Sequence, residues 1–144
     1  MYNGKYRYSL EEKGRLFVPA KFRRGLSPDA EDSFVVTRGW DGCLEVHPLD
    51  GWRKVEKKLE EYPQEDVRAR KLVRWFSANA EVVKLDGQGR IKIPQHLLEF
   101  ANLEKEIVII GVLNRIELWS PDAYAKEERE SDPTKIGSLG DLKL

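Results

Sequence analysis

The chain repeats its own sequence, and this duplication restricts the possible folds more than any other feature. The segment LEEKGRLFVPAKF at residues 10–22 returns as LDGQGRIKIPQHL at residues 85–97, an offset of 75. A second pair, RGWDGCLEVHPLDGW at 38–52 and IGVLNRIELWSPDAY at 110–124, follows in the same order at an offset of 72. Two matches in one order indicate an internal duplication. A unit of about 45 residues buries too little surface to be stable alone, so we expect the copies to pack on each other.

Each copy has the same predicted order of elements: two strands, a short helix and two more strands. In the first copy KYRYSL and RLFV have strand patterns, Pro19 opens the helix, and FVVT and CLEVH follow. In the second copy EVVKL, RIKI, a helix from Pro94, EIVII and RIELW take those places. The pattern predicts an α+β fold with copies at residues 5–50 and 79–122.

The segment that joins the copies, residues 51–78, has the periodicity of two helices. Its apolar residues recur three and four positions apart in both halves, and Pro63 separates the halves. The apolar positions are Trp52, Val55, Leu59, Leu72, Val73, Phe76 and Ala80. Such a face predicts helices packed on the core or on a neighbouring subunit. A short charged helix is predicted after Ala123, and Gly, Pro and polar residues predict a flexible tail at 131–144.

The charges balance over the whole chain but not along it. Lys and Arg total 25, as do Asp and Glu. Residues 1–26 hold seven cations and two acids, whereas residues 27–51 hold one cation and six acids. The N-terminal segment therefore predicts a basic face that an anionic partner would contact.

Four further features favour a cytoplasmic protein that binds neither membranes nor metals. The single cysteine, Cys43, cannot form an intramolecular disulfide, and the N-terminal residues lack the apolar core of a secretion signal. No apolar run approaches the roughly 20 residues needed to cross a bilayer. His47 and His96 have no metal-ligand spacing, so we expect no metal ion.

The first turn of each copy concentrates charge around a glycine. Gly14 and Gly89 supply the positive φ that a tight turn needs. Lys13 and Arg15 flank Gly14. An exposed hairpin tip with two cations can enter a DNA groove, where Lys binds phosphate and Arg pairs bidentately with guanine. The other predicted DNA contacts from the same basic segment are Lys5, Arg7 and Arg23.

A purely structural interpretation of the turns is also consistent with the sequence. An acid precedes an arginine by four residues in both copies, from Glu11 to Arg15 and from Asp86 to Arg90. Such a pair also stabilises an ordinary turn. We therefore assign a turn-stabilising role to Glu11, Asp86, Gly89 and Arg90.

The paired motifs EEKGRLFVP and DGQGRIKIP, each followed by strands that end in an acid and an aromatic residue, resemble the MraZ family of bacterial transcriptional regulators. The resemblance spans roughly residues 1–125. It implies two SpoVT-AbrB-type swapped-hairpin β-barrel units with short helices and a ring-shaped homo-oligomer. It also implies sequence-specific binding to short direct repeats in double-stranded promoter DNA of the cell-division and cell-wall gene cluster, including the protein's own promoter, at the nucleoid.

Two departures from the family pattern indicate which copy meets DNA. Glu11 replaces the usual aspartate of the first motif, and its extra methylene predicts a looser side-chain cap of that turn. Gln88 stands where Lys13 stands in the first copy, so the second turn has one cation fewer. We therefore expect the first copy to contact DNA and the second to complete the fold and the ring.

Two other functions compete with DNA binding. An enzyme is disfavoured, because His47 and His96 fall at unmatched positions of the two copies and Cys43 is predicted to be a buried apolar residue. We accordingly expect no cofactor and no small-molecule substrate. The alternative is an antitoxin-like or other protein-interaction module on the same fold, with the tail as its binding segment. The four tryptophans fall at periodic or matched positions, which favours packing over stacking on single strands.

Overall fold

The computed structural model describes residues 1–137 and residue 142. The strands are β1 (Lys5–Ser9), β2 (Arg15–Phe17), β3 (Ser33–Arg38), β4 (Leu44–Pro48), β5 (Glu81–Lys84), β6 (Arg90–Lys92), β7 (Glu106–Val112) and β8 (Arg115–Trp119). The α-helices are α1 (Ala20–Arg24), α2 (Leu49–Glu60), α3 (Val67–Asn79), α4 (Gln95–Phe100) and α5 (Pro121–Glu130). Each copy contains two strands, a short helix and two strands, which confirms the α+β prediction.

Strands from the two copies combine in one antiparallel sheet. Its order is β1-β7-β8-β4-β3-β5, and β2 pairs with β6 in a separate two-stranded ribbon. The first strand of each copy pairs with the third strand of the other, β1 with β7 and β5 with β3. At the centre of the ribbon Leu16 pairs with Ile91, its own counterpart in the second copy. The strand order is unchanged when the copies are exchanged, so an approximate two-fold axis relates them.

The predicted closed β-barrel is not found in the described residues. The large sheet is open, because its edge strands β1 and β5 have one strand neighbour each. A short unit cannot cover its own apolar strands, so each copy completes its sheet with a strand of the other. The division into copies at 5–50 and 79–122 stays a prediction about domain boundaries, since β1 and β5 pair across it.

One apolar core joins the large sheet, the ribbon and the short helices α1 and α4. Phe22 of α1 is fully buried and meets Tyr2 and Tyr6 edge-on, at ring-centroid distances of 5.2 and 5.4 Å. Burying such a side chain contributes about 1.5–3 kcal/mol. In the ribbon Leu16 points into this core. Because side chains alternate along a strand, its neighbours Arg15 and Phe17 lie on the outer face.

The opposite face of the sheet is covered by the longer helices. Val35 of β3 packs with Trp52 of α2 and Phe76 of α3 in a second cluster. Trp119 of β8 packs against Tyr124 of α5, with ring centroids 5.8 Å apart. The segment 51–78 therefore carries two helices that pack on the sheet.

Cys43 and Trp40 show how packing differs at the β3–β4 connection. Cys43 is fully buried, as the sequence predicts, and burial raises the pKa of its thiol because the charged thiolate would lose water. Trp40 stacks on Trp75 at a centroid distance of 5.6 Å but keeps 55% of its surface exposed. It is therefore less buried than its matched position predicts.

The predicted flexible tail lies only partly within the described residues. After α5 the backbone N–H of Thr134 donates to Asp132 Oδ1 at 2.9 Å, in a turn. Residues 138–141 and 143–144 lie outside the described residues. In the part of the chain that the structure describes, no helix is long and apolar enough to cross a bilayer.

Candidate nucleic-acid interface

The two glycine turns are joined by reciprocal backbone hydrogen bonds. The N–H of Val18 donates to Gly89 O at 3.0 Å, and the N–H of Ile93 donates to Gly14 O at 2.8 Å. Val18 and Ile93 are counterparts in the duplication. Each turn is thus fixed to the strand end of the other copy, and the two turns lie at opposite ends of the ribbon.

The first turn holds its lysine in an unusual backbone conformation. Lys13 has φ 63° and ψ 21°, and Gly14 follows with φ 77°. A left-handed conformation costs a non-glycine residue roughly 1–2 kcal/mol. A Cβ on Gly14 would lie 2.8 Å from the backbone oxygen of Ile93, so this position requires glycine. The turn is not the tip of a two-stranded hairpin as the sequence predicts, because β1 pairs with β7 and β2 pairs with β6. A strained, exposed lysine in a turn is a feature that often accompanies function.

The second turn is capped by its own aspartate. Asp86 Oδ1 accepts the backbone N–H of Gln88 at 2.8 Å and that of Arg90 at 2.9 Å. These bonds, led by the one from the Arg90 N–H, lower the pKa of Asp86, because they stabilise its charged form. The contacts are those that a turn-stabilising role requires.

Arg90 joins the two turns through acids from both copies. Its Nε donates to Asp86 Oδ2 at 2.8 Å, and its Nη1 donates to Glu11 Oε1 at 3.0 Å. The two carboxylates, Asp86 first, raise the pKa of Arg90. Glu11 therefore pairs with Arg90, the arginine of the other copy. The motif spacing predicts a pair with Arg15 instead. The predicted acid-arginine pair within one turn is found in the second turn alone among the described residues.

Arg15 and Lys13 consequently keep free charges. Among residues 1–137 no carboxylate lies within 4 Å of the cationic nitrogens of either side chain. Lys13 is exposed and Arg15 is half-buried. The first turn thus carries two uncompensated cations, whereas Arg90 of the second turn is shared by two acids.

The two cations of β1 are engaged in surface ion pairs. Arg7 lies 2.7 Å from Glu106, and Lys5 lies 2.8 Å from Glu128. The Lys5–Glu128 hydrogen bond raises the pKa of the lysine and lowers that of the glutamate. Exposed pairs of this kind are weak, so a phosphate can compete for either cation.

Arg23 lies against the turn of the other copy. Its Nε donates to Val18 O at 2.9 Å, and a Cβ on Gly89 would lie 2.7 Å from its Nη1. Its counterpart in the second copy, Leu98, occupies the matching place beside Gly14. The position of Arg23 in the chain, eight residues after Arg15, gives no sign of this placement.

The outer face of the ribbon adds residues that sequence reasoning missed. Lys92 lies opposite Arg15 in the β2–β6 register, and Phe17 lies opposite Arg90. Lys92 is exposed, and Phe17 keeps 39% of its surface exposed. Lys92 and Phe17 are counterparts in the duplication. The sequence signal that could have found them is the alternation of side chains along β2 and β6, which places both on the outer face.

The described residues also contain a cavity and a buried histidine that lie apart from the two turns. A surface cavity of about 620 Å³ is lined by Tyr2, His47, Asp50 and Arg115 among others, and shares no residue with either turn. His47 is buried and pairs with Glu45 at 2.9 Å. Within residues 1–137 no group of three or more His, Cys, Asp or Glu side chains could hold a metal ion.

Comparison with known proteins gives concordant results over nearly the whole chain. The family model for "MraZ protein", described as antitoxin-like, matches residues 1–75 and again residues 76–135. A protein of Halothermothrix orenii is 50% identical over 99% of both chains. One of Clostridium beijerinckii is 48% identical over 97% of this chain and 99% of its own. One of Natranaerobius thermophilus is 42% identical over 92% of this chain and 90% of its own. Each of the three is named "Transcriptional regulator MraZ".

Proposed function

This chain belongs to the MraZ family, and from that membership we propose that it regulates transcription by binding double-stranded promoter DNA. The observation that carries the proposal is the pair of uncompensated cations, Lys13 and Arg15, on the first turn. DNA presents closely spaced phosphates, and the affinity of a protein for them grows with the number of free cations at the contact. The relatives' shared name, transcriptional regulator, supports the same function.

The contrast between the two arginines supports the first copy as the one that reads DNA. Arg15 keeps its guanidinium donors free of acids, and a free guanidinium can pair bidentately with guanine O6 and N7. Arg90 gives its donors to Asp86 and Glu11 and has 19% of its side chain exposed. We assign DNA recognition to Arg15 and the joining of the two turns to Arg90.

Our proposal for the target and the assembly rests on the resemblance to the family. We propose that the protein binds short direct repeats in the promoter of the division and cell-wall genes, its own included, and acts at the nucleoid in the cytoplasm. A ring-shaped homo-oligomer would engage several repeats at once, so affinity would rise through avidity. Exposed apolar residues, Trp40 and Val82 among them, support self-association. Sedimentation that gives a stable monomer at micromolar concentration would contradict this assembly.

The experiment that tests the function compares Arg15→Ala with Arg90→Ala. Loss of a bidentate base contact costs about 1–3 kcal/mol per site, and several sites in one ring compound the loss. We expect Arg15→Ala to abolish the gel shift of the upstream DNA while the oligomer keeps its size. Arg90→Ala should instead weaken folding or assembly, because Asp86 and Glu11 lose the cation that they share.

Two results would contradict this assignment. If Arg90→Ala stays assembled and loses DNA while Arg15→Ala binds normally, the reading turn belongs to the second copy. If the wild-type protein shows no salt-dependent affinity for duplex DNA, the proposed function is wrong.

The antitoxin-like description of the family keeps one alternative in view, a protein-interaction module on the same fold. Its partner would be a protein, so binding would survive Arg15→Ala and would not compete with duplex DNA. Removal of residues 131–144 separates the two functions, because it should leave DNA binding unchanged and abolish a tail-mediated protein contact.

A further inference from the structure

We propose that Arg23 makes the second turn a separate phosphate-binding point, so that each protomer touches DNA with both turns. The inference rests on the proposed function and adds a contact to it. It departs from the sequence-based expectation that the second copy mainly completes the fold and the ring. The structure brings a cation of the first copy to the turn of the second.

The geometry places the Arg23 guanidinium directly at Gly89. A Cβ on Gly89 would lie 2.7 Å from Nη1, 2.8 Å from Cζ and 2.9 Å from Nε of Arg23. The hydrogen bond from Nε to Val18 O fixes the guanidinium there, and Val18 itself donates to Gly89 O. The side chain is thus held at the turn by the same strand end that joins the two copies.

The charge of Arg23 is free to act on a ligand. Among residues 1–137 no carboxylate lies within 4 Å of its guanidinium nitrogens. The residue is half-buried, so the protein does not enclose it completely. Arg90 beside it is shared between Asp86 and Glu11, and Arg23 is therefore the uncompensated cation of the second turn.

The two turns obtain their additional cation from different positions of the duplicated sequence. The first turn carries Lys13 at its tip and the apolar Leu98 against its glycine. The second turn carries the neutral Gln88 at its tip and Arg23 against its glycine. Each turn therefore has one uncompensated cation besides its own motif arginine, although the source of that cation differs.

The test measures how DNA affinity depends on salt, because each phosphate contact contributes about 0.9 to the slope of log K against log salt. The probe is a duplex of the sequence upstream of the gene, titrated with the full chain. Arg23→Leu introduces the residue type of its counterpart Leu98. It should reduce the magnitude of the slope by about 0.9 for each engaged subunit. Gln88→Lys introduces the residue type of its counterpart Lys13 at an exposed position. It should increase the magnitude of the slope by about the same amount, and the double variant should have the wild-type slope.

Arg129→Leu is the matched control, since it removes an exposed arginine of α5 and should leave the slope unchanged. An unchanged slope in Arg23→Leu, even with a lower melting temperature, overturns the proposal, because a packing role alone does not alter counterion release. An unchanged slope in Gln88→Lys also overturns it, and this variant decides the matter if Arg23→Leu fails to fold. If Arg15→Ala loses DNA while these two variants keep the wild-type slope, the second-turn contact is wrong and the proposed function stands.

Discussion

Replacing Gly14 with alanine tests the close approach between the two turns. Gly14 has φ 77°, and an added Cβ would lie 2.8 Å from Ile93 O and 3.3 Å from Leu98 Cδ1. The carbonyl of Ile93 belongs to the backbone that bonds to Gly14, so it cannot move away without breaking the 2.8 Å hydrogen bond from Ile93 N to Gly14 O. The substitution therefore strains the turn of one copy and the strand end of the other.

The magnitude follows from three contributions. The left-handed conformation costs alanine roughly 1–2 kcal/mol, and the overpacking costs about 1–3 kcal/mol. The lower conformational entropy of the unfolded alanine variant offsets about 0.4–1 kcal/mol of this cost. We expect Gly14→Ala to lower the free energy of unfolding by about 2–4 kcal/mol, which corresponds to a melting temperature lower by roughly 5–15 °C in a chain of this size.

Two other glycines supply matched controls in the same calorimetric experiment. Gly87 has no neighbouring atom within 4 Å of an added Cβ, so Gly87→Ala should stay within about 0.5 kcal/mol of wild type. Gly89 has φ 79°, and its added Cβ would meet the Arg23 side chain, which can shift at the cost of its hydrogen bond to Val18 O, whereas the Cβ at Gly14 meets backbone. Gly89→Ala should therefore fall between the other two. A melting temperature of Gly14→Ala equal to that of Gly87→Ala, or above that of Gly89→Ala, would refute the reasoning.

Three further predictions concern single side chains. Lys13→Gly relieves the left-handed strain at a comparable entropic cost, so its unfolding free energy in urea should stay within about 1 kcal/mol of wild type while gel shifts show weaker DNA binding. The carboxylate of Asp86 has a lowered pKa, so its contribution to stability is complete above about pH 4 and is lost as the pH falls through that pKa. The urea midpoints of Asp86→Asn and wild type should therefore converge in acid and differ at neutral pH. Burial and a raised pKa should protect Cys43 from iodoacetamide until the chain unfolds, and mass spectrometry of the folded protein would show otherwise if that is wrong.

The sequence by itself determined the duplication, the order of elements in each copy and the position of both glycine turns. These features depend on local chemistry. Apolar periodicity distinguishes strand from helix within a few residues, and a left-handed turn selects glycine wherever the chain folds. Lys13, Gly14 and Arg15 could therefore be placed together in one turn before any contact was known.

Only the tertiary structure decided which copy each contact belongs to. Local periodicity cannot tell whether β1 pairs within its own copy or with β7, because both arrangements bury the same alternating side chains. The sheet built by this exchange is open, with β1 and β5 at its edges. The same exchange brings Glu11 to Arg90, 79 residues away, and leaves Arg15 without an acid. It also brings Arg23 to Gly89, since a charge 66 positions away in the chain becomes a neighbour only when the two copies pack together.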